Sequence, residues 1–219
     1  MISFTNIYKS FETPAGEIQI LKDMSRDVPS WDFFALMWPS GAWKSTILNL
    51  IAGLESPTAW ELIVDNTNIT NYTLDQKTIY RWRNISFVFQ QFHLLPQLTV
   101  EENIDLVIEL NGLERRFTTS EILMKVGLGG REKDYPSILS GGEQQRVAVA
   151  RAFVAQTPIL LADEPTGNLD QLSAKAIMDL MVSLHQEVKN TIVMITHDRH
   201  IANYADHIYT LKDFDVSKE

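Results

Sequence analysis

Four short apolar runs constrain this 219-residue chain more than any other feature: Phe33–Met37, Ile85–Phe89, Pro158–Ala162 and Thr191–Thr196. Each is the length of one strand, and none alternates with polar residues. Such runs fit strands buried on both faces, as in parallel sheets covered by helices. Three of them are followed at once by polar residues: Gln90 after the second, Asp163 and Glu164 after the third, His197 and Asp198 after the fourth. In open α/β sheets ligands bind where the strands end.

The intervening segments support an α/β class with a mainly parallel sheet. Ile2–Tyr8 and Ile18–Val28 read as strands around a turn near Pro14–Gly16, and Leu62–Val64 as a further strand. Helical character is expected in Ile47–Ala52, Thr99–Leu110, Thr119–Val126, Ser140–Ala155, Ser173–Val188 and Asp198–Tyr204, with Thr99 and Glu102 spaced as a capping box. The stretch from about Gln91 to Ala155 is mostly helical. It is expected to form a lobe inserted between core segments of about residues 1–90 and 156–219.

Composition narrows the partners. Lys and Arg number 19 against 28 Asp and Glu, a formal net charge of −9. That balance argues against general nucleic-acid binding, which needs surplus cations for the phosphate backbone. The absence of cysteine excludes disulfides and thiolate metal sites. Neither a secretion signal nor an apolar stretch of membrane-spanning length is apparent, so any membrane role is expected to come through a partner.

After Phe33–Met37 comes Trp38-Pro39-Ser40-Gly41-Ala42-Trp43-Lys44-Ser45-Thr46. A phosphate-binding loop reads G-x-x-x-x-G-K-[ST] between a strand and a helix. Its backbone N–H groups cradle phosphates, its Lys reaches the β- and γ-phosphates, and its hydroxyl holds Mg²⁺. Lys44, Ser45, Thr46 and the inner Gly41 are present, but the two defining glycines are Trp38 and Trp43. A non-glycine residue at positive φ costs about 1–2 kcal/mol, and an indole beside Lys44 must also clear the phosphates.

Downstream, Leu139-Ser140-Gly141-Gly142-Glu143-Gln144-Gln145-Arg146 opens a helix with two glycines, and a helix N-terminus can receive an anion. Asp163 and Glu164 close an apolar strand, where one carboxylate can support Mg²⁺ and the other can take a proton from water. Taken together with Phe87-Val88-Phe89-Gln90-Gln91-Phe92-His93-Leu94-Leu95-Pro96, with Leu161 to Asp170 and with Ile195-Thr196-His197-Asp198, these strings resemble the ABC-type nucleotide-binding domain over nearly the full length. The resemblance is to the bacterial group that includes lipoprotein-release, macrolide-export and cell-division ATPases.

The resemblance implies a P-loop NTPase core, an antiparallel β-subdomain at the N-terminal end and an inserted helical subdomain. It also implies ATP and Mg²⁺ as ligands. Phe11 would stack on adenine. The segment Trp38, Pro39, Ser40, Gly41, Ala42, Trp43, Lys44, Ser45 and Thr46 would surround the phosphates, with Ser45, Gln90 and Asp163 toward Mg²⁺. Glu164 would be the catalytic base and His197 would hold the γ-phosphate. Ser140, Gly141, Gly142 and Glu143 would close on ATP held by a second copy of the domain, and Asp170 would lie in the loop coupling the two sites. The implied partners are that second copy, in a homodimer, and an integral membrane permease, which places the chain in the cytoplasm against the inner face of the membrane. Repair members of the wider family carry a long coiled coil and translation factors carry two cassettes; this chain has neither.

Trp31, Trp38, Trp43 and Trp60 stand where this family usually has glycine or another small residue, and Phe214 follows Asp213 where glycine is usual. Three readings of the phosphate loop stay open: an impaired domain that serves as a docking or regulatory module, a loop refolded yet functional, and a local replacement of the glycines. Gradual decay would also have eroded Glu164, His197 and the Leu139–Arg146 string. Their intactness favours a localised change.

The steric argument makes this sequence a weak binder of Mg-ATP. Replacing Trp38 and Trp43 together by glycine is expected to tighten Mg-ATP binding by about tenfold or more, the equivalent of relieving roughly 1.4 kcal/mol. Calorimetry on the two versions side by side checks this, and equal affinities would place any defect elsewhere.

Overall fold

A computed structural model describes the chain except residues 15, 38–44, 66, 113, 213, 214 and 219 and the side chains of 60, 111, 211, 212 and 215–218. The phosphate-loop residues Trp38 to Lys44, Phe214 and the Trp60 side chain therefore lie outside the described residues. In chain order the elements are β1 (Ile2–Thr13), β2 (Gly16–Val28), β3 (Phe33–Met37), α1 (Thr46–Ile51), β4 (Ala59–Val64), β5 (Thr67–Asn68), α2 (Leu74–Asn84), β6 (Ile85–Phe89) and α3 (Val100–Asn111). They continue with α4 (Thr119–Lys125), a 3₁₀ turn at Pro136–Ile138, α5 (Gly141–Phe153), β7 (Ile159–Asp163), α6 (Gln171–Val188), β8 (Thr191–Thr196), α7 (Arg199–Ala202), β9 (His207–Lys212) and β10 (Asp215–Lys218). The chain divides into two compact units, one of Met1–Trp82 with Thr191–Glu219 and one of Arg83–Asn190.

The first unit holds an antiparallel sheet in the order β2-β1-β4-β5 and a second group in the order β10-β9-β3-β8. In that second group β3 runs parallel to both β8 and β9, and β10 closes the edge antiparallel. Every residue of β8 is buried, as are Phe33, Phe34, Ala35 and Leu36 of β3. This is the burial that unbroken apolar runs predict. The register sets Met37 opposite Thr196, so β3 and β8 end level with each other. Helix α1 contributes Ile47, Leu48, Leu50 and Ile51 to the core. The Tyr80 hydroxyl of α2 donates to the carbonyl of Ile51 at 2.9 Å, which fixes the C-terminal end of α1.

In the second unit β6 and β7 pair in parallel, from Ile85 opposite Ile159 to Phe89 opposite Asp163. Helix α3 opens with the expected capping box between Thr99 and Glu102. The loop ahead of it is riveted by Asn103, which is buried to 1% exposure. Its amide nitrogen donates to the carbonyls of Leu95, Leu98 and Thr99, and its oxygen accepts from the N–H of Leu95 at 2.7 Å.

Several elements depart from the sequence reading. Helix α2 was not expected, because only Lys77 and Tyr80 of its eleven residues are buried and no apolar stripe marks it. Strand β9 mixes polar and apolar residues, and its pairing with β3 rather than its own pattern makes it a strand. The first hairpin is longer than expected, reaching Thr13 and starting again at Gly16. The final helix is trimmed to Arg199–Ala202.

Trp31 shows why a small residue is usual at its position. Its backbone is left-handed, with φ of 67°, its N–H donates to the Thr191 hydroxyl at 3.0 Å, and its side chain is 69% exposed. The ring adds little burial to offset the strained backbone. Trp31→Gly is therefore expected to raise the unfolding free energy by about 1 kcal/mol, measured by urea denaturation.

Candidate functional site

In the second unit, polar residues gather where the parallel strands end. Phe89 and Asp163 are level, so Gln90 and Glu164 each leave the sheet at the same edge. Glu164 is 5% exposed and adopts left-handed backbone with φ of 47°. A buried carboxylate in that conformation stores strain of about 1–2 kcal/mol, and strain of this kind clusters at sites that do chemistry. The turn after it is closed by the N–H of Gly167, donating to the Glu164 carbonyl at 3.0 Å, and by that of Leu169, donating to Thr166 at 3.1 Å.

The two loops are clasped to each other. The Gln90 amide nitrogen donates to the Asn168 side-chain oxygen at 3.0 Å, and the Asn168 amide donates back to the Gln90 carbonyl at 3.0 Å. Gly167 makes room for this contact: a Cβ there would lie 2.9 Å from the Gln90 amide nitrogen. Helix α5 holds the same loops from behind. Gln145 is fully buried, and its amide nitrogen donates to the carbonyls of Phe89 at 3.2 Å and Pro165 at 2.5 Å. Arg151 donates to the carbonyls of Phe92 at 3.0 Å and His93 at 2.6 Å, and burial pulls its guanidinium below its ordinary value. Sequence reasoning gave no role to Gln145, Arg151 or Asn168. Gln145 and Asn168 sit inside strings that were read as functional, which was the available signal.

At the head of α5 the expected residues form a complete capping box. The Ser140 hydroxyl accepts from the N–H of Glu143 at 3.3 Å, and the Glu143 carboxylate accepts from the N–H of Ser140 at 2.8 Å. Arg131 adds an ion pair to Glu143 at 3.1 Å. The bonds to Ser140, backbone first, hold the Glu143 carboxyl below the ordinary glutamate range. Gly142 faces Ser173 so closely that a Cβ would meet its hydroxyl at 3.3 Å. Asp170 caps α6, accepting from the Leu172 and Ser173 N–H groups at 3.0 Å and from the Ser173 hydroxyl at 2.6 Å. Those bonds, the hydroxyl first, hold Asp170 below the ordinary aspartate range.

The first unit positions the other expected residues. Exposed His197 follows Thr196, level with the end of β3. The turn is set by the Thr196 hydroxyl, which accepts from the N–H of Asp198 at 3.1 Å, and by Asp198, which accepts from the N–H of His200 at 2.7 Å. Ser45 occupies the N-cap of α1, and Thr46 is buried beside it. Half-buried Phe11 lies on β1 with the Lys9 ammonium 4.5 Å from its ring centroid, a cation–π distance. The same ammonium meets Glu55 at 3.1 Å.

The family model described as ABC transporter matches residues 21–167. The chain is 40% identical to the ABC transporter ATP-binding protein MJ0796 of Methanocaldococcus jannaschii, covering all of this chain and 96% of that protein. It is 36% identical to the lipoprotein-releasing system ATP-binding protein LolD of Legionella pneumophila, covering 97% of this chain and 95% of that protein. It is 37% identical to the macrolide export ATP-binding/permease protein MacB of Mannheimia succiniciproducens, of which it spans 34%. Among solved structures, the dimeric post-hydrolysis state of MJ0796 bound to ADP and inorganic phosphate superposes with a TM-score of 0.87 at 36% identity, covering all of this chain and 98% of that one.

Ser140→Ala removes a helix cap and is expected to cost about 1 kcal/mol of stability. The lowered values of Glu143 and Asp170 set the direction of the pH effect. Their contribution is complete above the ordinary carboxylate range and is lost as the pH falls through the depressed folded values. Urea titrations near neutrality and at about pH 3 should show the penalty of Ser140→Ala shrinking at the lower pH.

Proposed function

The chain belongs to the ABC transporter family as an ATP-binding subunit, and on that premise we propose how its residues divide the work of ATP hydrolysis. The observation that carries the proposal is Glu164, a buried carboxylate in strained backbone directly after Asp163 and beside the Gln90 loop. Glu164 is the general base. It takes a proton from water, the water oxygen bonds to the γ-phosphorus, and the bond from that phosphorus to the bridging oxygen breaks to leave ADP and inorganic phosphate. Lys44 and His197 hold γ-phosphate oxygens, Ser45 and Thr46 hold the phosphate chain, and Phe11 stacks on the adenine.

The residues present suit Mg²⁺. Asp163 offers a carboxylate level with the end of β6, and Gln90 spends its amide nitrogen on Asn168, so its amide oxygen is the end that suits a cation. These are hard oxygen donors, few in number, as that ion prefers when phosphates complete its shell. When bound, Mg²⁺ would neutralise charge across the β- and γ-phosphates.

Ser140, Gly141, Gly142 and Glu143 act on the nucleotide of a second copy, so the working form is a homodimer with Asp170 in the coupling loop. The solved structures of MJ0796 are dimeric. No helix among the described residues is long and apolar enough to cross a membrane, and the energy of hydrolysis is delivered to a separate membrane permease, with the chain on its cytoplasmic side. The intact Glu164, His197 and Leu139–Arg146 string supports an active domain.

Glu164→Gln keeps the shape of the site and removes the base. In the version with glycine at positions 38 and 43 it is expected to accumulate as an ATP-bound dimer, seen by size-exclusion chromatography with ATP. A monomeric profile under saturating ATP would count against the two-copy arrangement.

A further inference from the structure

We propose that Gln145 is a positioning residue for hydrolysis, whose buried amide sets the Gln90 loop and the Glu164 turn relative to each other. The proposal rests on the reading of Glu164 as the base. Gln145 lies in the second turn of α5 and has no exposure. A side-chain amide carries two N–H donors, and both are spent on main-chain carbonyls of other segments. One is Phe89, immediately before Gln90, and the other is Pro165, immediately after Glu164. One nitrogen therefore bridges the two loops at the residues that adjoin their functional side chains.

The cost of this arrangement marks it as more than packing. The Gln145 side-chain oxygen is buried with no hydrogen-bond partner among the described residues, and such orphaned groups are few in folded proteins. The side chain gives up its own acceptor to satisfy two carbonyls that turning backbone presents. An apolar residue of the same length would remove the unpaired acceptor and both donors to these carbonyls. Glutamate would keep the shape and offer no donor while ionised. The position thus asks for an uncharged double donor of this reach.

The bridge is not the sole restraint on the loops. Arg151 holds the carbonyls of Phe92 and His93, and Asn168 clasps Gln90. Loss of the Gln145 donors is therefore expected to loosen the loops without unfolding the unit. Loosening is enough to matter: a shift of about 1 Å in a reacting group can cost on the order of 100-fold in rate.

The test uses the full chain with Gln145→Met. Hydrogen–deuterium exchange is expected to rise in peptides spanning residues 88–93 and 164–169 together, while α6 and the β1–β2 hairpin exchange as before. In the version with glycine at positions 38 and 43, kcat is expected to fall by about tenfold or more while KM and the affinity for a fluorescent ADP stay within about twofold. In single-turnover measurements, adding Gln145→Met to Glu164→Gln is expected to slow the residual reaction no further, because the effect passes through Glu164.

Unchanged exchange in the two loops, or an unchanged kcat, overturns the proposal. So does a rise in KM with kcat preserved, or a further loss in the Glu164→Gln background, either of which marks a structural role alone. If the glycine version with Gln145 intact shows no ATP hydrolysis, the reading of Glu164 fails and the catalytic claim falls with it. The exchange result then still decides whether Gln145 joins the two loops.

Discussion

Parallel pairing of short, largely buried strands leaves polar side chains without a partner one place to go, the strand ends. Inside such a strand most side chains meet a helix or another strand, so a polar group there needs a partner, as Ser86 has in the Thr157 hydroxyl at 2.9 Å, and the remaining polar groups gather at or beyond the last pair. The register of β6 on β7 and of β3 on β8 puts those last pairs level within each unit. Gln90, Asp163, Glu164 and His197 are all placed by this one constraint. The chemistry of the chain is a consequence of where its hydrogen-bond ladders stop.

The same logic explains which parts were legible in the sequence. Phe33–Met37 has identical bounds in sequence and structure because an unbroken five-residue apolar run after Asp32 can be little else. The cap at Thr99 was readable because S/T-x-x-E is a local pattern whose donors and acceptors lie within one turn, and Ser140 with Glu143 has the same spacing. Helix α2 and strand β9 were not, since neither carries its own periodicity. Tyr80 anchors the first through one buried hydroxyl and β3 recruits the second through its open edge. Of the site, the residues proposed to face a ligand were named from motifs, whereas those that hold the loops were not. Gln145, Arg151 and Asn168 act on main-chain carbonyls and amides distant in sequence, and nothing in a linear string reveals which carbonyl a side chain will find.

Trp31 clarifies how the family's small positions are to be read. Its left-handed backbone carries an indole that is mostly exposed, at the cost of strain. Gly167 is the opposite case: its backbone is ordinary, but the Gln90 side chain fills the space a Cβ would take. The first demand is conformational and can be absorbed at a surface. The second is steric, and a larger residue would have to break the clasp between the two loops. Glycine thus has two separate grounds for its place in this fold, and a substitution is judged by which one it violates.

Helix α5 brings these threads together. Its first turn is fixed by the Ser140–Glu143 box and pressed against the head of α6 at Gly142 and Ser173. Its second turn carries Gln145 between the carbonyls of Phe89 and Pro165, and its fourth carries Arg151 on those of Phe92 and His93. A helix is stiff over such a length, since every turn is hydrogen-bonded to the next. A displacement at its N-terminus cannot therefore be absorbed along the way. It must reach the Glu164 turn and the Gln90 loop through the same few side chains. In a domain whose Ser140 end is proposed to meet the nucleotide of a second copy, that stiffness supplies a physical route by which closure on one nucleotide adjusts the base that serves another.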